Sequence, residues 1–589
     1  MIRTVSSSTP SPKTTELAKT QEISKGDWIT AGVLVLVLIV LKYFYFYSQP
    51  FNSDEPQHAH IVWGWVTGKV QYKEIFDNHT PLFHALYAPF FACFEERGDI
   101  VRLLRLGMLP LYLASLWFTY RLGAHFFSRR AGFWAATLLA AWPPYFFKMN
   151  EFRTDVLWTV IWLFALWVLM GSPLTRKRCF WAGVLFGVGF AVSMKTIMLL
   201  GLLGVAALAT AGLARLGGAP SSVSGKEWAI RFACSVAGAL IVPLLVVAYF
   251  AARNALPEMY YCIFVHSAKI GLSGKKVLRN LFLEPVGLWL VPAVLVAVAC
   301  IRQRWFQLDA EGTRKRLILI FCSLFFCPLL IAVWMVATSQ GFLPWYPLMA
   351  IVLSTLLIKV THKVPRVPLL AILLAFFVWV MVIVIDPLQS SNQGDVEMIQ
   401  EAITLTEPHE FVLDPKGETV YRNRPYYYVF ETFTRRRLKD GTLDGSSDLI
   451  QDLIRTRTTV ICASNRYPRE WSDFMDDNYI RVGHVNVLGK KFVLDSQGRA
   501  RVEIVIPERY TALVPGKGSQ VLFNGKPLDP HQLLEPGSYE IEVSPAATGT
   551  GYLLWTRAVE KGFRPQIKSP KRPKSPDKTF VDYVREYIR

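Results

Sequence analysis

No two cysteines in the 589-residue chain stand in a Cys-x-x-Cys pair, and the eight present are scattered. That spacing gives neither a zinc ribbon nor a disulfide framework. Cys179, Cys234, Cys300, Cys322 and Cys327 lie in or beside apolar runs, where a thiol behaves as a small hydrophobe. Internal repeats are missing. Charged residues make up only 19% of the chain. No basic stretch is interleaved with aromatics as a nucleic-acid groove requires, so a net charge of +19 does not point to nucleic acid. A cleavable leader is not read either. The first 27 residues are polar, the apolar run after them is too long for an h-region, and no small-residue cleavage site follows.

What the chain does have is apolar length. Hydrophobic residues make up 52% of it and the mean hydropathy is +0.29, beyond what soluble domains show. Several runs reach the roughly 20 residues that span hydrocarbon. Residues 28–47 carry one charge, Lys42. The basic residues gather in alternate short loops: Arg129 and Arg130, Arg176 to Arg178, Arg302 to Arg316, then Lys359, Lys363 and Arg366. This positive-inside bias predicts about eleven spans with the N-terminus in and the C-terminus out. The spans fall at 28–47, 101–120, 131–147, 156–170, 180–194, 197–214, 229–250, 285–301, 317–337, 345–358 and 367–385. From Asp386 the composition becomes that of a soluble domain. Short strands are predicted at 411–413, 458–463, 501–506, 520–523, 539–543 and 552–555, with a helix over 448–456. The domain reading is a cytosolic tail (1–27), a transmembrane catalytic domain (28–385), an extracytoplasmic α/β domain (386–500), a small β module (501–560) and a basic flexible tail (561–589). The fold class is a polytopic α-helical membrane protein with a C-terminal extracytoplasmic α/β plus β domain.

The stretch around which this is organised follows the first span. Residues 54–89 hold four carboxylates (Asp54, Glu55, Glu74, Asp77) and four histidines (His58, His60, His79, His84) beside a membrane. Lipid solvates none of them, so they must line a wet cavity or pair with one another. Asp54 suits a helix N-cap, and equally a base or metal ligand at the membrane surface. Two further outer loops carry charge: 148–155, with Arg153 and Asp155, and the turn at Lys195. A fourth outer loop, 253–284, is basic against the general bias, with His266, Lys269, Lys275, Lys276 and Arg279 between Gly271 and Gly274. Such a loop suits closure over a phosphate-bearing substrate, or attraction to anionic headgroups.

These motifs together resemble the GT-C glycosyltransferases. The similar branch contains the protein O-mannosyltransferases and the bacterial aminoarabinose transferase that modifies lipid A. Asp54-Glu55 is similar to that branch's acidic motif. Asp77-Asn78-His79-Thr80-Pro81-Leu82 is similar to its Asp-His-Pro-Pro-Leu box, with Asn78 inserted and Thr80 for the first proline. Glu151 to Asp155 resembles the second outer loop, Ser193-Met194-Lys195-Thr196 the Thr-Lys-Gly turn, and Phe342 to Leu348 the Leu-Pro-Leu-Tyr-Pro helix start. The resemblance covers roughly residues 28–385. It implies an integral-membrane enzyme that moves a hexose or pentose from a polyprenyl-phosphate donor to a glycan, lipid or protein acceptor, in a bacterial inner (plasma) membrane. Asp54 is then the expected base, with Glu55 sharing or orienting it. Lys195, Arg153 and His79 are expected to meet the leaving phosphate. Asp77 and Asp155 are the candidates for a divalent metal, which nothing in the spacing demands. The competing class is a secondary transporter of a lipid-linked or anionic substrate; its charges belong mid-span, whereas these cluster in loops.

Overall fold

The computed structural model describes residues 22–566 apart from 172, 217–223, 267–310, 334–338, 361–365, 385–390, 444, 446–447, 516–518 and 530. The first helix, α1 (Lys25–Ser48), starts in a capping box. The Ser24 hydroxyl accepts from the Asp27 N–H, and the Asp27 carboxylate accepts from the Ser24 N–H. Along α1, Ala31, Leu34, Leu38, Leu41 and Tyr45 are buried at three- and four-residue spacing, while Ile29, Val33, Leu36 and Val40 are exposed and equally apolar. A helix that is apolar all round needs lipid against its outer face.

The bundle continues through α2 (Asp54–Val66), α3 (Leu82–Phe91), α4 (Ile100–Phe126), α5 (Arg129–Ala141), α6 (Pro143–Lys148), α7 (Thr154–Met170), α8 (Arg176–Val192), α9 (Thr196–Leu216), α10 (Gly225–Ala252), α11 (Glu311–Val333), α12 (Tyr346–Val360) and α13 (Arg366–Val384). Apart from residues 334–337 and 385, ten of the eleven expected spans fall on described residues, and each of the ten is helical over most of its described length; the span at 285–301 lies outside the described residues. Four helices are each long and apolar enough to cross a membrane on their own: α1, α4, residues 196–215 of α9, and α10. The span expected at 131–147 is two helices. Trp142 between them is extended, at φ −68° and ψ 114°, because Pro143 excludes the helical conformation from the residue before it. Pro143 then opens α6, where its missing N–H costs nothing.

Packing is tightest where side chains are smallest. A Cβ on Gly183 of α8 would collide with the Ser235 carbonyl of α10, and one on Gly238 of α10 with the Phe180 carbonyl of α8. These glycines let the two backbones meet, as small residues do between membrane helices. At α1 the buried Asp27 ties two helices together. Its Oδ1 accepts from Arg130 Nη2 at 2.8 Å and from the Trp134 indole at 3.0 Å.

The C-terminal part begins with α14 (Gln393–Leu405) and holds two sheets among the described residues. The larger runs β1 (Val412–Leu413), β2 (Val460–Ile461), β4 (Asn486–Leu494), β11 (Gly549–Trp555), β6 (Glu508–Leu513), β9 (Leu533–Leu534), with β3 (Tyr479–Arg481) also paired to β4. Only β1 and β2 among these pairs are parallel. The smaller sheet runs β5 (Arg499–Ile504), β10 (Gly537–Ser544), β7 (Gln520–Phe523), β8 (Lys526–Pro527). Each of the six strands expected from the sequence is present. β7 and β8 are joined by Asn524-Gly525, both at positive φ (48° and 77°), the turn that Asn-Gly favours in hairpins. Because β11 pairs with β4, segments on either side of residue 500 share one sheet.

This part docks on one end of the bundle. The Asn392 amide donates to the Phe46 and Gln49 carbonyls, and its oxygen accepts from Arg102. Arg422 pairs with Glu96 at 2.8 Å. The contact lays the turn around Lys416 over the start of α2.

Candidate active site

Asp54 and Glu55 open α2, and helical geometry turns their side chains about 100° apart. They go to different places. Glu55 is fully buried. Its carboxylate accepts from Arg105 Nη2 and Nε at 2.6 and 2.7 Å, from the Phe152 N–H at 3.0 Å and from the Asn52 N–H at 2.9 Å. With its oxygens so engaged, Glu55 clamps α2, α4 and the turn before α7, and it stands outside the cavity that Asp54 lines.

Asp54 faces a cavity of about 550 Å³, lined also by His79, Arg153, Lys195, Lys416 and Arg466. Arg153 Nη2 lies 2.7 Å from Asp54 Oδ2, and Lys416 Nζ donates to Asp54 Oδ1. Burial alone would raise the Asp54 carboxyl, but Arg153 and then Lys416 outweigh it and hold the group well below the usual carboxylate range. Arg153 sits just before α7 in extended conformation, at φ −146° and ψ 153°. It is drawn to three carboxylates, with Glu151 at 3.6 Å and Asp155 at 3.7 Å after Asp54. Burial would lower its pKa, and Asp54, Glu151 and Asp155 raise it instead, so it stays charged. Among the described residues its buried Nε and Nη1 have no hydrogen-bond partner.

Lys195 occupies the turn between α8 and α9, and its ammonium donates to Asp155 Oδ1 at 2.7 Å. His79 follows from the loop before α3. Its Nδ1 lies 2.8 Å from Asp77 Oδ1, which also accepts the His79 N–H at 3.1 Å. Asp77 is fully buried, and its second oxygen accepts from Gln71 at 2.7 Å. Behind His79, His58 and His84 are buried with ring nitrogens 2.9 Å apart. Burial, then the neighbouring imidazoles, push His58 well below its usual range, and burial takes His84 to about 4, so both are neutral.

Of the residues expected from the sequence, Asp54, Arg153, Lys195 and His79 therefore line one cavity, with Asp155 and Asp77 each holding one of the others. Among the described residues no group of three or more His, Cys, Asp or Glu is arranged to hold a metal ion. Asp77 and Asp155 are instead engaged by His79 and Gln71, and by Lys195 and Arg153. Lys269, Lys275, Lys276 and Arg279 lie outside the described residues. His266, from the same expected loop, is buried against Glu431 at 3.3 Å and Arg437 at 3.2 Å.

Sequence reasoning missed the contribution of the C-terminal part. Lys416, Arg435 and Arg466 all line the cavity, and they come from loops and a helix far along the chain. Lys416 stands in a turn held by Asp414, whose carboxylate accepts from the Gly417 and Thr419 N–H groups. Asp414-Pro415-Lys416-Gly417 is a visible turn signal, but it carries no hint of its partner. Arg105 was also missed, although an arginine inside an apolar run calls for a buried counter-charge.

Residues 78–217 match the family model described as dolichyl-phosphate-mannose-protein mannosyltransferase. No curated protein matches the chain by sequence. In fold the chain is similar to ArnT from Cupriavidus metallidurans in its apo state, at 13% identity and TM-score 0.54, over 78% of this chain and 97% of that one. It is similar also to the same ArnT bound to undecaprenyl phosphate, at 12% identity and TM-score 0.53, over 79% and 98%. Two findings agree: the fold, a helical bundle with a sheet-bearing end, and the mannosyltransferase match over residues 78–217. The chain is a polytopic helical membrane protein similar in fold to ArnT, and its residues 78–217 match the mannosyltransferase family model.

Proposed function

We propose that the chain moves a sugar from a polyprenyl-phosphate carrier to a glycan, lipid or protein acceptor. One observation carries the reading: Arg153, buried with two donor nitrogens unspent, stands beside Lys195, Lys416 and the Asp54 carboxylate in one cavity. Cations around a carboxylate are what transfer from a phosphosugar needs. The acceptor oxygen attacks the anomeric carbon as its proton passes to Asp54, and the bond from that carbon to the phosphate oxygen breaks with inversion. The lipid phosphate leaves with growing charge, which Arg153, Lys195 and Lys416 meet. Without donor, Arg153 and Lys416 hold Asp54 and make it a weak base. A phosphate that draws these cations to itself loosens that hold, and the carboxylate gains basicity as the donor seats. His79, oriented by Asp77, offers its other ring nitrogen to the donor. Glu55 positions Asp54 through the backbone and does not reach the substrate.

On this reading the loop charges put the N-terminus in the cytoplasm and the cavity and sheets outside, and the family resemblance implies a bacterial inner membrane. The undecaprenyl phosphate bound by ArnT suits a carrier of that kind.

Lys195 tests the phosphate site. Lys195→Met should weaken binding of undecaprenyl phosphate and slow transfer more strongly, because the contact tightens as charge develops on the leaving group. A charge-assisted hydrogen bond contributes roughly 1.5–3 kcal/mol, or about 10- to 150-fold in rate. Lys195→Arg should keep part of it, since the charge survives and the geometry changes. Lipid-phosphate titration and single-turnover rates on the same preparations check this. Wild-type values for Lys195→Met in both would remove Lys195 from the site.

A further inference from the structure

A second cavity, of about 330 Å³, shares Gln57 and Lys416 with the first, so the two are neighbours across those side chains. Its size falls at the small end of ligand pockets, which run about 300–1,000 Å³. The walls come from α2, from the loop that follows it, and from the segment 411–429 ahead of α15 (Thr432–Lys439). Five aromatic residues line it: Trp63, Phe76, Phe411, Tyr426 and Tyr427. Set among them are polar groups with unspent hydrogen-bonding capacity. Gln57 is 2% exposed, and neither its amide nor that of Asn423 makes a hydrogen bond among the described residues. The buried Tyr426 hydroxyl has no hydrogen-bond partner among the described residues. A buried polar group left unmet costs roughly 1–3 kcal/mol, so the buried Gln57 amide and Tyr426 hydroxyl, with the half-buried Asn423 amide, call for a ligand that answers them.

We propose that this cavity binds a saccharide, and that the saccharide is the acceptor. The second clause rests on the glycosyltransferase reading; the first does not. The chemistry of the wall selects the ligand. A sugar ring carries hydroxyls that both donate and accept, as two amides and a phenol demand, and it carries C–H faces that suit aromatic side chains. An acyl chain would satisfy the rings and strand the amides. A peptide brings a run of backbone N–H and C=O groups that must all be met, whereas here the groups with capacity to spare are two side-chain amides and a phenol, with Lys69, Glu74, Lys416 and Arg424 also on the wall. The position fits as well. Lys416 lines both cavities and binds Asp54, so a sugar hydroxyl that reaches past Gln57 arrives at the carboxylate.

The test uses the full chain in lipid nanodiscs prepared without glycoside detergents. The probes are the methyl glycosides of glucose, galactose, mannose, rhamnose and N-acetylglucosamine, together with a short Ser/Thr-containing peptide, and the readout is saturation-transfer NMR. Undecaprenyl phosphate binding is titrated on the same preparations. At least one glycoside is expected to bind the wild-type chain. Asn423→Leu and Gln57→Leu should each weaken it by roughly two- to tenfold, the range of one net hydrogen bond. Tyr426→Phe, which removes one oxygen and nothing else, should weaken it within the same range. Asn423→Leu and Tyr426→Phe should leave undecaprenyl phosphate binding unchanged. The proposal is overturned if no glycoside binds, if the peptide binds and the glycosides do not, or if all three variants bind a glycoside as the wild type does. Glycoside binding without any undecaprenyl phosphate binding would instead overturn the donor reading and leave the saccharide cavity standing.

Discussion

Asp54→Asn is expected to lower sugar transfer by about 10²–10⁴-fold, the usual contribution of a general base, while lipid-phosphate binding holds or tightens. The second half follows from the ion pairs. In the resting chain Asp54 occupies Arg153 and Lys416. An amide releases them, so the phosphate no longer competes with an internal anion. Asparagine is close to aspartate in shape, and among the described residues the Asp54 carboxylate has no hydrogen bond or ion pair beyond these cations, so the fold should stand. Single-turnover transfer and undecaprenyl phosphate titration separate the two effects. A variant that turns over within a few-fold of the wild type would show that the proton goes elsewhere. A variant that loses transfer and binding together would mean that Asp54 holds the cavity in shape and takes no proton.

Arg105→Met should be the more damaging change for stability. It strips Glu55 of a two-point ion pair in a site where both partners are fully buried. Breaking such a pair from one side typically costs about 3–5 kcal/mol, because a buried charge is left uncompensated. The Glu55→Gln, Arg105→Met double variant should recover much of that loss. It removes both charges and keeps a carbonyl oxygen for the Phe152 N–H. Thermal unfolding of the purified protein in one detergent reads both. The single variant should also lose transfer, since the clamp sets Asp54 and Arg153 at their separation. If the single and double variants melt alike, the ion pair does not bear on stability.

Much of the helical part was legible because the physics of a span is local: apolar length and flanking charge decide it. The exception at Trp142 was also local. Two consecutive prolines follow it, and their effect on the preceding residue was outweighed by the hydropathy of 131–147 as a whole. Strands were legible where β-branched residues alternate. β4 was missed because Gly489-Lys490-Lys491 interrupts its apolar pattern, and its burial comes from pairing with β11, some sixty residues on. Asp54, Arg153 and Lys195 could be picked out because a charge at the end of an apolar run is costly unless used. The division of labour between Asp54 and Glu55 could not be read, since it depends on which face of α2 meets Arg105 and which meets the cavity. Lys416 is 362 residues from Asp54. No local pattern links them, and only the docking of the sheets on the bundle brings them together.

The central claim is attack at the anomeric carbon of a polyprenyl phosphosugar. It is tested most directly by the fate of the bridging oxygen. Polyprenyl-phosphate sugars, labelled with ¹⁸O between the anomeric carbon and phosphorus, are incubated with native membranes that contain the chain, and with membranes that contain Asp54→Asn. The account predicts that polyprenyl phosphate is released only with the wild-type chain, in step with sugar transferred, and that the ¹⁸O stays with the lipid phosphate. Label that leaves with the sugar, or release that persists undiminished with Asp54→Asn, would contradict it.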